Sequence, residues 1–127
     1  MREIKFRGFN RKNNVWLYGF YLQNRGAHFI CPDEFATGKS WDDYEIDPDT
    51  RGEFTGLKDK NGNEIYEGDI ICFVNGQKKV NGEWVDNKFI YTIEYSEGAF
   101  RGVSCLSKAL GAVEVIGNIH ENPNLLT

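Results

Sequence analysis

Three carboxylates, Glu64, Glu67 and Asp69, crowd one short segment and form the acidic group with the most defined setting in the chain. Acids this close can hold a divalent metal or divide the roles of general acid and general base. The same residues also suit a turn. Gly68 permits a sharp bend ahead of the apolar run that starts at Ile70, and Asp69 can accept hydrogen bonds from nearby backbone N–H groups. The turn is the preferred reading, because no histidine lies near and the closest thiol, Cys72, falls inside an apolar run. Asp59, Asn61 and Asn63 have the i, i+2, i+4 spacing that opens a calcium loop. The sixth position is then Glu64 where glycine is required, and the twelfth is Ile70 where glutamate is required. Asp47, Asp49 and Gly52 begin the same pattern and fail at Lys58, so both segments read as polar turns.

His28 and His120 are the only histidines, and neither has a partner at zinc-ligand spacing. Cys31, Cys72 and Cys105 are far apart, odd in number and free of any C-x-x-C, which points to unpaired thiols in a reducing compartment. The run 52–56 is too loose to cradle a phosphate, and no nucleotide fingerprint occurs. The expectation is therefore no catalytic residue, no metal ligand and no cofactor.

Binding residues are easier to nominate than reactive ones. Aromatics make up 14% of the chain, with nine Phe, six Tyr and three Trp. Trp16 and Tyr18 share one face of a strand, with Leu17 on the other, and Trp41 sits among acids. Lys78, Lys79, Trp84 and Lys88 form a small basic and aromatic patch of the kind that can stack bases. The same lysines also suit a solvated hairpin whose edge must not pair. Trp16, Tyr18, Trp41, Trp84, Lys78, Lys79 and Lys88 are the candidate partner-binding residues. The formal net charge of −4 weighs against nucleic acid as the main partner, since phosphate binding relies on a basic excess. A protein partner, or a second copy of the chain, is the expectation. No apolar segment follows Met1 and no membrane-length apolar run occurs, so the expected location is the cytoplasm, without membrane attachment.

These residues need strands and turns to place them. Ile4 and Phe6 alternate with Lys5 and Arg7, which is the period of a half-buried strand. The polar run 10–14 joins it to the aromatic run 15–22 as a hairpin. Asn24-Arg25-Gly26 is a second turn, followed by a short strand over 28–31 that Pro32 ends. Asp33-Glu34-Phe35 could open a short helix, and Asp47-Pro48-Asp49 reads as a turn or linker. Further on, Asn61-Gly62, Asn75-Gly76 and Asn81-Gly82 read as tight turns. They punctuate strand-length apolar runs at 70–74, 80–85, 89–95, 100–105 and 113–119, and 106–111 fits one helical turn with a glycine stop. The fold class expected is mainly β, from short antiparallel strands with at most short helices. The arrangement expected is an N-terminal β-hairpin region over 1–54 and an SH3-like barrel over 55–127, the alternative being one compact unit over 1–127.

Three segments resemble the YopX family of phage and prophage proteins. They are Arg2-Glu3-Ile4-Lys5-Phe6-Arg7, then 55–70 with its Asp59-Lys60-Asn61-Gly62 and Tyr66-Glu67-Gly68-Asp69, and finally 114–123 with Gly117-Asn118-Ile119-His120-Glu121-Asn122-Pro123. They occur in the family's order and span nearly the whole chain. His120 departs from the pattern, which usually has an aromatic there. The resemblance implies a phage or prophage origin, a bacterial host cytoplasm and an SH3-like barrel in the C-terminal half. It carries no catalytic residues with it.

Overall fold

The computed structural model describes residues 3–32, 37–96, 99–101 and 113–126. Among these residues ten strands carry the fold: β1 (Phe6–Asn10), β2 (Val15–Asn24), β3 (Ala27–Cys31), β4 (Asp47–Lys58), β5 (Glu64–Tyr66), β6 (Asp69–Val80), β7 (Glu83–Thr92), β8 (Glu94–Ser96), β9 (Ala99–Arg101) and β10 (Glu114–Asn118). Two single turns of 3-10 helix, Trp41–Asp43 and Pro123–Leu126, are the helical elements among the described residues. The class is mainly β, as expected. The expected helical turns at 33–35 and 106–111 fall outside the described residues, as does Cys105. The chain forms two compact units, Met1–Gly56 and Leu57–Thr127.

In the N-terminal unit the strand order is β3-β2-β1-β4. The β1–β2 hairpin places Asn10 opposite Val15. In the β2–β3 hairpin Asn24 faces Ala27, leaving a two-residue turn in which Arg25 and Gly26 both have positive φ, 52° and 80°. That geometry matches the right-handed twist of the flanking strands. Gly8 is required by packing, because a Cβ there would lie 2.4 Å from the Ile46 side chain. The free edge of β3 is covered by the chain at 44–46: Ile30 N–H donates to Tyr44 O and Ile46 N–H to His28 O. Covering an edge in this way removes a template for unwanted strand pairing.

Asp47-Pro48-Asp49, read above as a turn or linker, instead begins β4. The register between β1 and β4 slips there, with Arg7 facing Gly52 but Phe9 facing Asp47. Proline has no N–H to give a ladder, so it is tolerated at a bulge. Thr50 repairs the gap. Its hydroxyl accepts from Phe9 N–H at 2.8 Å and donates to Asp47 O at 2.6 Å.

The chain continues through the last residues of β4 into the C-terminal unit, and β5 is hydrogen-bonded to β4. The other strands of this unit form a three-stranded sheet of order β10-β6-β7 and the pair β8-β9. Among the described residues these sheets do not close into the barrel that was expected. The core here is Ile65, Ile71, Phe73, Ile93 and Val113, with Leu57, Phe89 and Val115 packed against it. Burial of such side chains stabilises the fold by roughly 1.5–3 kcal/mol each.

The β6–β7 hairpin also corrects the reading of its turns. Asn75-Gly76 is not a turn. It lies inside β6 at a bulge, where the register slips between Val74 and Gln77 and Gly76 takes φ 75°. The turn is at Asn81-Gly82, with φ 51° and 83°, so the apolar run 80–85 is split across the hairpin tip and is not one strand.

Candidate functional site

Two of the acids flagged for chemistry, Asp59 and Asp69, are held as partners of the backbone. Asp59 is buried, and its Oδ1 accepts from the N–H groups of Asn61 and Asn63, both at 2.9 Å. Its Oδ2 accepts from Val115 N–H at 3.0 Å, across 56 residues of sequence. Gly62 N–H donates to Asp59 O at 3.0 Å, and Gly62 takes φ 84° to close the loop. Burial pushes the Asp59 carboxyl pKa up, but the hydrogen bonds from Val115, Asn63 and Asn61 outweigh it and hold the pKa below the usual carboxylate range.

Asp69 is 2% exposed, and its Oδ2 accepts from Tyr66 N–H at 2.7 Å. Glu64 Oε1 accepts from the Tyr66 hydroxyl at 2.9 Å. The bend between them is Gly68, at φ 91°. Its N–H donates to Ile93 O and its carbonyl accepts from Ile119 N–H. Asn118 closes the same region from the other side, its Oδ1 accepting from the N–H groups of His120 at 3.0 Å and Glu121 at 2.9 Å. Gly117 leaves room for this turn, since a Cβ there would lie 2.5 Å from Asn122 Oδ1. Within the cluster, Asp69 thus serves the backbone of its own turn and Glu64 the hydroxyl of the neighbouring Tyr66.

In the N-terminal unit a surface cleft of about 660 Å³ is lined by Asn10, Lys12, Asp42, Glu45, Asp47 and neighbouring residues. Both of its cations are paired with acids, and the lining as a whole is acidic. Arg11 pairs with Asp47, and Lys12 Nζ lies 3.2 Å from Asp42 and 2.9 Å from Asp43. The Ser40 N–H first, then Asn13 and Lys12, hold the Asp43 carboxyl far below its usual pKa, and the two acids raise that of Lys12. Asn10, 1% exposed, ties the floor together by donating to Asp42 O and Glu45 O.

The exposed surface carries the aromatic residues. Trp16 is half-buried, edge-on to Phe9 at 5.4 Å and beneath the Arg7 guanidinium at 5.0 Å. Tyr18 is 49% exposed and continues the same strand face. Phe20 and Leu22 extend that face, at 59% and 42% exposed, and sequence reasoning missed both. Phe29 and Cys31 lie opposite Leu22 and Phe20 on β3, and Trp41, 59% exposed, packs edge-on to Phe29 at 5.6 Å. Trp16, Tyr18 and Trp41 thus belong to one region of the N-terminal unit. Burial pushes the Cys31 thiol pKa up, which disfavours the reactive thiolate. His28 is engaged by Tyr21, whose hydroxyl bonds to Nδ1.

Trp84, Lys78, Lys79 and Lys88 lie in the other unit, on the β6–β7 hairpin, and all are exposed. Trp84 faces Lys79 across the hairpin, with the ammonium 5.4 Å from the ring centre. Among the described residues no helix is long and apolar enough to cross a membrane.

A sequence model of the YopX protein family matches residues 5–127, nearly the whole chain. The chain belongs to the YopX family. The crystal structure of protein EF1440 from Enterococcus faecalis is similar to it, with a TM-score of 0.63 and 29% identity over 100% of both chains. No curated protein matches the sequence. Within this YopX protein, the two later segments that carried the family resemblance prove to be bonded to each other. Asp59 reaches Val115, Lys60 N–H reaches Val113 O, and Ile119 N–H reaches Gly68 O. Their polar residues are legible as one hydrogen-bonded clasp.

Proposed function

We propose that this YopX protein is a non-catalytic accessory protein of phage or prophage, working in the bacterial cytoplasm by binding a protein partner. The observation that carries this reading is the face of β2. Tyr18, Phe20 and Leu22 stand in a row, each more than 40% exposed, with Trp41 beside Phe29 at the margin. Aromatic side chains anchor protein interfaces because they bury large areas at low entropic cost. The turn acids support the non-catalytic part, since Asp59 and Asp69 spend their oxygens on backbone N–H groups.

Affinity capture from host lysate, with wild type and the Tyr18→Ser/Phe20→Ser variant compared, tests the reading. The expected result is a partner held by wild type and lost by a variant with unchanged melting temperature. Equal retention by both would contradict it.

A second reading is nucleic-acid binding by the β6–β7 hairpin, favoured by exposed Trp84 beside Lys79 and by Lys78 and Lys88. Glu83 and Asp86 on the same hairpin weaken the basic patch. Binding to single-stranded DNA that falls steeply with salt would favour this reading, and no binding at low salt would remove it.

A further inference from the structure

We propose that two copies of this chain pair along β7, antiparallel about a two-fold axis centred on Asn87. The pairing would join two β10-β6-β7 sheets into one continuous sheet of six strands. The inference goes beyond the protein-binding reading above, because it uses a different surface in a different unit.

The first observation is the edge itself. Among the described residues β7 is the last strand of its sheet, and it is long, Glu83–Thr92. An edge of that length presents a row of backbone donors and acceptors ready for another strand. The second is the face that Trp84, Asp86, Lys88 and Ile90 share, because side chains of a strand alternate. All four are exposed, with Trp84 at 65% and Ile90 at 48%. Phe89, on the opposite face, stacks on Phe73 at 5.4 Å and faces the core.

The third observation is charge. An antiparallel pairing about a two-fold axis sets one residue opposite its own copy. Centring on Asp86 or Lys88 would oppose two like charges, which destabilises a cross-strand pair. Centring on Asn87 opposes Asp86 to Lys88 of the second copy, twice by symmetry. It also opposes Trp84 to Ile90 twice, so the exposed face becomes an unbroken ladder of apolar and ionic pairs. On the core-facing side Val85 meets Phe89. Both charged groups have capacity for the pair. Asp86 accepts only a long 3.4 Å hydrogen bond from Gln77, and among the described residues no carboxylate pairs with Lys88. The charges that would keep an isolated edge from pairing at random also favour this register over those centred on Asp86 and Lys88.

Sedimentation velocity on the full chain across a wide concentration range is the test, with Asp86→Lys, Lys88→Asp and the double exchange Asp86→Lys/Lys88→Asp. The account expects a wild-type dimer, weakened about tenfold or more by either single reversal and restored by the double exchange. A monomer at every concentration would overturn it. So would a dimer indifferent to both reversals, or a folded double variant that stays monomeric. An independent check is mild oxidation of Asn87→Cys and Glu83→Cys. Residues directly opposite in an antiparallel pair are about 4.5–5.5 Å apart at Cα, within disulfide reach. Asn87→Cys should cross-link to its own copy and Glu83→Cys should not; equal cross-linking of the two would refute the register. Because the aromatic face of β2 takes no part, loss of the dimer with partner capture intact separates this proposal from the previous one.

Discussion

The two ends of one hairpin follow different rules. At the base of β6, Ile70 and Ile71 are fully buried, and nearby turns are fastened by side chains such as Asp69 and Asp59. Past the bulge at Asn75-Gly76, the residues from Gln77 to the end of the strand are exposed, and so are those facing them on β7. The strand is continuous and its backbone pairing persists, yet packing stops at the bulge. Backbone ladders alone add little net stability, whereas buried apolar area and satisfied buried polar groups add much. The base therefore holds the fold, and the arm is free to serve recognition.

That contrast can be broken experimentally, and the largest effect is expected in the core of the base. Ile71→Ala should cost about 2–5 kcal/mol in denaturant unfolding, the usual range for a buried aliphatic side chain cut to alanine. Next comes the clasp. Asp59→Ala removes the acceptor of three backbone N–H groups, and a loss of about 2–3 kcal/mol is expected, since each orphaned donor carries a desolvation cost.

The clasp should also be visible in acid. The Asp59 pKa is lower in the folded chain than its ordinary value, so its contribution is fully present above the unfolded pKa of about 3.9. It is lost as pH falls through the lower, folded value. Asp42 and Asp43 are shifted the same way, so the comparison needs a variant. The stability gap between wild type and Asp59→Asn should narrow below about pH 4 and stay constant from pH 5 to 7. A gap that widens in acid would contradict the assignment. The smallest effect belongs to the arm, where Val85→Ser should change the stability of the folded monomer by no more than about 0.5 kcal/mol.

What the sequence showed and hid follows the same division. Turns at Arg25-Gly26 and Asn81-Gly82 are legible because positive φ is a local demand met by a few residue types. Asn75-Gly76 misleads, because a bulge needs the same residues as a turn and only the partner strand distinguishes them. The polar role of Asp69 is legible from its neighbours Tyr66 and Gly68. The bond from Val115 to Asp59 is not, because it joins segments 56 residues apart. On β2 both alternating faces are rich in apolar residues, with Leu17 and Tyr21 on one and Tyr18, Phe20 and Leu22 on the other. Nothing local tells which face will be covered, so Phe20 and Leu22 escaped notice as surface residues.

Native-state hydrogen exchange tests most directly whether these acids serve the backbone. The amides of Asn63, Tyr66 and Val115, bound to Asp59 and Asp69, should open only with global unfolding, far more slowly than those of Lys79 and Val80 in the arm. Exchange at Val115 as fast as in the arm, in the folded wild-type protein, would contradict the account.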